Sequence, residues 1–162
     1  KRLHEAGKKH NVDIVVDTAE NLLVGVTDAA LFAQNFVIAA EAEGYGICYI
    51  GGARTSAKEI SELFNLPEYV FPMFAMTIGK PTKVNETKPR LPVAAILHEN
   101  SYNSEQFETL LSEYDETMEQ YYASRSSNQK MATWTKQMAD FLVVQRRPEI
   151  RSFIAEKGFT WK

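Results

Sequence analysis

The chain has 162 residues, 44% of them hydrophobic and 24% charged, which is the make-up and length of one ordinary globular domain. A net charge of -3, a pI near 5.7 and no basic cluster interleaved with aromatics argue against nucleic acid as a partner. The single cysteine, Cys48, excludes an internal disulfide and a cysteine metal site, and His4, His10 and His98 are scattered without ligand spacing. No metal is expected, and a reducing, cytoplasmic setting fits best. Uninterrupted apolar stretches fall short of the roughly 20 residues a membrane-spanning helix needs, so a soluble protein with no membrane partner is expected.

The chain opens in a charged segment, KRLHEAGKKHNVD, that has the character of a helix tail, and the expectation is a piece of a longer protein. Over 17–43, Leu22, Leu23, Val26, Ala29, Ala30, Ala33, Phe36, Val37 and Ala40 recur at three- and four-residue steps, the pattern of a long buried helix, with Gly44 at its C′ position. GYGICYIGG follows, residues 44–52: four glycines around an apolar run that reads as a buried strand over 46–50, with Cys48 as a small core residue. A short helix over about 56–65 takes Ser56 as N-cap and Glu59 as its capping-box partner, and Pro67 closes it. YVFPMFAMTIG, residues 69–79, reads as a second strand. A polar connection rich in proline and charge runs to residue 92 and is too long for a tight turn, a length that usually carries function. Helices are expected over about 104–123 and 131–145 and from Pro148, with the polar break SRSSNQK between the first two. With about two strands in view the sheet is too small to stand alone, so further strands must come from elsewhere.

GYGICYIGGARTS, TKPRLP (87–92), HENSY (98–102), YDETMEQYYASRSSN (114–128) and RRP (146–148) stand in an order and spacing that resembles the FMN-dependent NADPH nitroreductase and flavin reductase family, the oxygen-insensitive group. The resemblance runs from about Asp17 to Gly158. It implies an α+β fold in three layers, a central mostly antiparallel sheet flanked by helices, in a single partial domain. The divisions are a remnant of upstream sequence (1–16), core helix and strands (17–80), cofactor-loop region (81–103) and C-terminal helical extension (104–162). It also implies a homodimer with FMN at the subunit interface, and hydride passing from NADPH through the flavin to small-molecule acceptors: nitroaromatics, quinones or free flavin. The family's upstream arginine motif for the FMN phosphate has no match here, so the chain corresponds to the C-terminal two-thirds of such an enzyme. The rival expectation is a truncated, catalytically silent dimerisation or ligand-binding fragment.

By position, Tyr49, Ile50, Gly51 and Gly52 correspond to the stretch whose backbone faces the flavin ring near N5 and O4. A backbone amide there favours the reduced flavin, and a side chain on either glycine would meet the ring. Lys88 and Arg90 correspond to the contact with the ribityl phosphate, which suits a lysine and a fork-shaped guanidinium. Arg125 and Lys130 correspond to the nicotinamide-cofactor site, with Lys130 where an arginine is common, and Arg147 to the mouth of the substrate pocket. No catalytic side chain is expected, since the flavin carries the redox chemistry.

Overall fold

The computed structural model describes residues 2–83 and 85–160. In chain order it has α1 (Arg2–His10), α2 (Ala19–Ala42), β1 (Gly46–Ile50), a 3-10 turn (Gly51–Ser56), α3 (Ala57–Leu63) and β2 (Ala75–Gly79). A second 3-10 turn (Val93–Ala95), α4 (Phe107–Ser124), α5 (Trp134–Leu142) and α6 (Ile150–Glu156) follow. β1 and β2 pair antiparallel, from Gly46 opposite Gly79 to Ile50 opposite Ala75, and form the one sheet among the described residues. The expected α+β class holds. Two compact units divide the chain, one of Lys1–Thr82 with Arg147–Lys162, the other of Lys83–Arg146.

In the first unit, α2 starts where Thr18 turns extended and its Oγ1 accepts the Asn21 N–H at 3.1 Å. It ends at Gly44, φ +79, where the Tyr45 N–H reaches back to the Ala40 carbonyl and the Gly44 N–H to that of Glu41, both at 3.0 Å. Only a residue free to take positive φ closes a helix in this paired way. The expectation that α2 is buried is corrected. Ala33, Val37 and Ala40 make a covered stripe, whereas Leu23, Leu31, Phe32 and Ile38 are exposed. Apolar residues occupy more of the helix circumference than the two-stranded sheet can cover. By length and mean apolarity alone α2 could also span a bilayer, while polar residues, Asp28 among them, keep its uninterrupted apolar stretches far below roughly 20 residues, as expected. Asp28, exposed near its middle, would cost about 2.5–3.5 kcal/mol at a bilayer centre.

β1 keeps its expected bounds but not its expected burial, because Cys48, Tyr49 and Ile50 are exposed. The Cys48 thiol is accordingly a surface group and not part of the core. β2 is shorter than 69–79: Pro72 has no N–H for a ladder, and Tyr69 takes φ 59 with its N–H on the Lys157 carbonyl at 2.7 Å. The capping box at Ser56 does not form, because the chain enters α3 from a 3-10 turn and not from the extended backbone that such a cap needs. Lys157, just past α6, binds this unit together. Its Nζ donates to the Leu66 carbonyl at 2.6 Å and to the buried Ser61 hydroxyl at 3.1 Å. Beside it Gly158, φ +99, lies against the Tyr69 ring, and Tyr69 and Phe71 meet the buried Phe159 edge-on.

The second unit is built on one face of α4. Tyr114, Met118 and Tyr122 recur every four residues and are all buried, with Leu91, Tyr121, Ala132 and Trp134 packed against them. Asp115 ties α5 to α4: its carboxylate accepts the Thr135 N–H at 2.9 Å and the Thr135 hydroxyl as well. An acidic group at a helix N-terminus satisfies an otherwise unpaired donor and the helix dipole together. The helices are shorter than expected at their starts, α4 beginning at Phe107 and α5 at Trp134, where Thr133 caps it.

Candidate functional site

Four of the residues singled out in the sequence belong to the second unit, and its packing brings them together. The Tyr114 hydroxyl donates to the Pro89 carbonyl at 3.0 Å, which pins the polar connection along α4. Lys88, next in the chain, then lies with its ammonium 5.9 Å from the centre of the Tyr122 ring. Arg125 is the C-cap of α4, and its guanidinium carbon is 5.8 Å from the Tyr121 ring and 6.0 Å from that of Tyr122. Lys130 returns over the same ring, its ammonium 4.3 Å from the centre. Arg90 donates through Nη1 to the Lys88 carbonyl at 3.1 Å and so stiffens the loop that carries Lys88.

Three cations within cation–π reach of one ring, with none of the four in an ion pair among the described residues, form an electropositive patch without an internal counter-charge. Such a patch favours a phosphate or other oxyanion. The Tyr122 phenol registers the same field. Burial raises its pKa, but the hydrogen bond with Gln137, the hydrogen bond and charge of Lys88 and the charge of Lys130 outweigh that, and the net position is below the ordinary value.

The remaining five belong to the first unit. Tyr49 and Ile50 close β1 with exposed side chains, and Phe74 meets Tyr49 edge-on at 5.2 Å. Gly51 and Gly52 open the 3-10 turn. Neither takes positive φ, so the backbone conformation does not require glycine at either place. A Cβ on Gly51 would come 3.4 Å from the Arg54 guanidinium, whereas Gly52 has room, a Cβ there meeting only the Ile50 methyl at 4.0 Å. Arg54 itself is held by donating to the Met73 carbonyl at 2.6 Å. Arg147, with φ 52, donates from Nε to the Thr55 hydroxyl at 3.1 Å, at the far end of the same 3-10 turn.

Two residues central to this geometry were not singled out in the sequence. Tyr122 had a legible signal, the four-residue repeat Tyr114, Met118, Tyr122, which marks the buried stripe of α4. Gln137 had none. A glutamine on an amphipathic helix is ordinarily solvated, and only the path of residues 125–133 brings Lys130 to it, with Nζ 2.6 Å from Gln137 Oε1. Among the described residues no group of three or more His, Cys, Asp or Glu side chains is arranged to hold a metal.

Comparison with known proteins bears on the whole chain. Residues 6–80 match the family model "Nitroreductase family" and residues 88–162 the model "Nitroreductase family, C-terminal domain". A Cr(VI) reductase of Pseudomonas sp. (strain G-1) is 68% identical over 162 residues, all of this chain and 67% of that protein. An NADPH-flavin oxidoreductase of Vibrio harveyi is 43% identical over 148 residues, 91% of this chain and 61% of that one. Among solved structures, NfrA2 of B. megaterium superposes with a TM-score of 0.94 at 34% identity, covering 99% of this chain and 65% of its own. The chain thus spans about two thirds of the length of such relatives, or somewhat less.

Proposed function

The chain belongs to the nitroreductase family, and from that membership we propose that it is the cofactor-binding part of an FMN-dependent oxidoreductase that takes hydride from NADPH and delivers it to a small-molecule acceptor. The observation that carries this reading is the convergence of Lys88, Arg125 and Lys130 on Tyr122 without a carboxylate partner. Relatives are named NADPH-flavin oxidoreductase, FMN reductase (NADPH), oxygen-insensitive NADPH nitroreductase and Cr(VI) reductase, which favours flavins, nitro compounds and chromate as acceptors, with quinones added by their similar flat, oxidising character.

The residues present fit FMN. Lys88 and Arg90 are exposed cations on one loop, stiffened by their own hydrogen bond, and suit the ribityl phosphate. Tyr49, Ile50, Gly51 and Gly52 offer an exposed strand end followed by glycine backbone that carries no side chain of its own, with the Arg54 guanidinium beside Gly51, and this suits a flat ring. Arg125 and Lys130 suit the 2′-phosphate that distinguishes NADPH from NADH, and Arg147 the entrance for the acceptor. These groups lie in different units, and each is assigned by itself. FMN, when bound, supplies the ring that accepts and passes on the hydride; the chain holds phosphates, keeps side chains off the ring surface and contributes no acid or base. The exposed apolar residues of α2 support a homodimer in which a second copy covers them, and the two units then serve one partial nitroreductase-like domain.

A second reading, a silent binding or dimerisation module, is favoured by the two-stranded sheet, which is small for an independent core. Purification with added FMN separates the two. Retained flavin absorbance together with NADPH oxidation in the presence of chromate, a nitroaromatic or free flavin supports the oxidoreductase, whereas a colourless protein that FMN does not restore supports the module. Gly51→Val sharpens the test. Its Cβ comes 3.4 Å from the Arg54 guanidinium, which the Met73 carbonyl holds, so stability should fall by about 1 kcal/mol while flavin retention is lost altogether. Unchanged flavin retention would remove the glycine turn from the ring site.

A further inference from the structure

Lys130 is held at two points. Its Nζ donates to Gln137 Oε1 at 2.6 Å and stands 4.3 Å from the centre of the Tyr122 ring. The Gln137 amide is itself fixed. Nε2 donates to the Thr133 carbonyl at 2.9 Å, which turns Oε1 toward Lys130, and the same Oε1 accepts the Tyr122 hydroxyl at 3.4 Å. A lysine ammonium has three donors, so one bond to Gln137 leaves two for an incoming anion. The holding group is neutral. A carboxylate in its place would orient the ammonium equally well but cancel its charge.

We propose that Gln137 is a specificity-determining positioning residue: with Tyr122 it pre-orders Lys130, so that a flexible ammonium reads a ribose 2′-phosphate as a fixed donor would. A lysine free in solution must give up much of its rotamer freedom on meeting a phosphate, and here that ordering is already done before the ligand arrives. The inference rests on the reading of Arg125 and Lys130 as the 2′-phosphate site. It also alters the expectation from residue type, in which lysine is the weaker reader beside arginine, because the Arg125 guanidinium stands near 6 Å from either ring while Lys130 is held closer and by a hydrogen bond.

Titration calorimetry of adenosine 2′,5′-bisphosphate and adenosine 5′-monophosphate into the full chain tests this without relying on turnover. Gln137→Met keeps length and apolar packing but removes the acceptor. It should cut the preference for the 2′-phosphorylated nucleotide by about five- to tenfold while leaving the 5′-monophosphate affinity unchanged. Gln137→Glu retains the hold and adds a negative charge, and it should cut the preference at least as far. If Lys130→Ala loses the preference while both Gln137 variants keep it, Lys130 acts without Gln137 and the positioning role is overturned. Equal weakening of both nucleotides by Gln137→Met would mean a merely structural role and would overturn it too. If Lys130→Ala keeps the preference, or the unaltered chain has none, the 2′-phosphate reading itself falls and the inference with it.

Discussion

In the unit Lys83–Arg146 the apolar seam of α4 is closed, Tyr114, Met118 and Tyr122 being 5%, 0% and 5% exposed, whereas in the other unit α2 leaves Leu31 and Phe32 at 61% and 74%. α4 is amphipathic and buries Tyr114, Met118 and Tyr122, whereas α2 is apolar around most of its circumference and buries only Ala33, Val37 and Ala40. They differ in what is available to cover them. α4 has α5, capped onto it by Asp115, and a proline-rich loop pinned by Tyr114; α2 has a sheet of two strands. Local contacts therefore suffice to assemble a cation cluster in one unit, while the other leaves apolar side chains of α2 exposed.

The contrast breaks most readily at α2. If a second copy covers it, Phe32→Glu combined with Leu31→Glu should weaken self-association by about a hundredfold or more, because hot-spot side chains contribute about 2 kcal/mol or more each. Sedimentation velocity would show this, and a wild-type chain already monomeric at high concentration would remove the idea that unit 1 needs a copy of itself. Within unit 1 two glycines sharpen the point that not every part of it is open. Gly158→Ala places a Cβ 2.8 Å from the Tyr69 ring at φ +99 and should cost about 2–3 kcal/mol of unfolding free energy. Gly44→Ala, at φ +79 with open space around it, should cost only about 1 kcal/mol. Equal losses in denaturant melts would contradict this ranking.

The smallest effect belongs to unit 2. The Tyr122 phenol has a folded-state pKa below its ordinary 10.0, so the unfolded chain holds the proton longer and stability gains a contribution as pH rises through the interval between the two. That contribution is absent below the folded-state pKa and complete above 10.0. Denaturant midpoints for the wild type and Tyr122→Phe should draw apart slightly across that interval, and curves that stay parallel would show that the cations do not act on the phenol.

Much of this molecule was legible in the sequence where the signal is local. β1 lies at 46–50 as the apolar run between glycines required, Gly44 closes α2 through its positive φ, and about two strands were counted. Burial was not legible in the same way. Periodicity marks which residues of α2 share a face, but whether that face is covered depends on elements the pattern cannot see. The Ser56 cap failed for a related reason: its spacing to Glu59 was right, but the cap also depends on the backbone entering α3 extended, and a 3-10 turn precedes it. For the site, Lys88, Arg90, Arg125 and Lys130 came from the resemblance, since charges on polar loops read by themselves as solvated; the structure places Lys88, Arg125 and Lys130 around the Tyr122 ring and Arg90 on the Lys88 carbonyl. Gln137 was invisible because its role comes entirely from the path of residues 125–133 back over α5.

The claim that matters most is that Arg125 and Lys130, beside Tyr122, read the 2′-phosphate of NADPH, and Arg125→Ala in the FMN-loaded protein tests it most directly. One charge-assisted hydrogen bond contributes about 1.5–3 kcal/mol, so KM for NADPH should rise about tenfold or more while KM for NADH hardly changes. Added salt should shrink the wild-type difference between the two cofactors. A parallel rise for NADPH and NADH, or no change for either, would contradict the account.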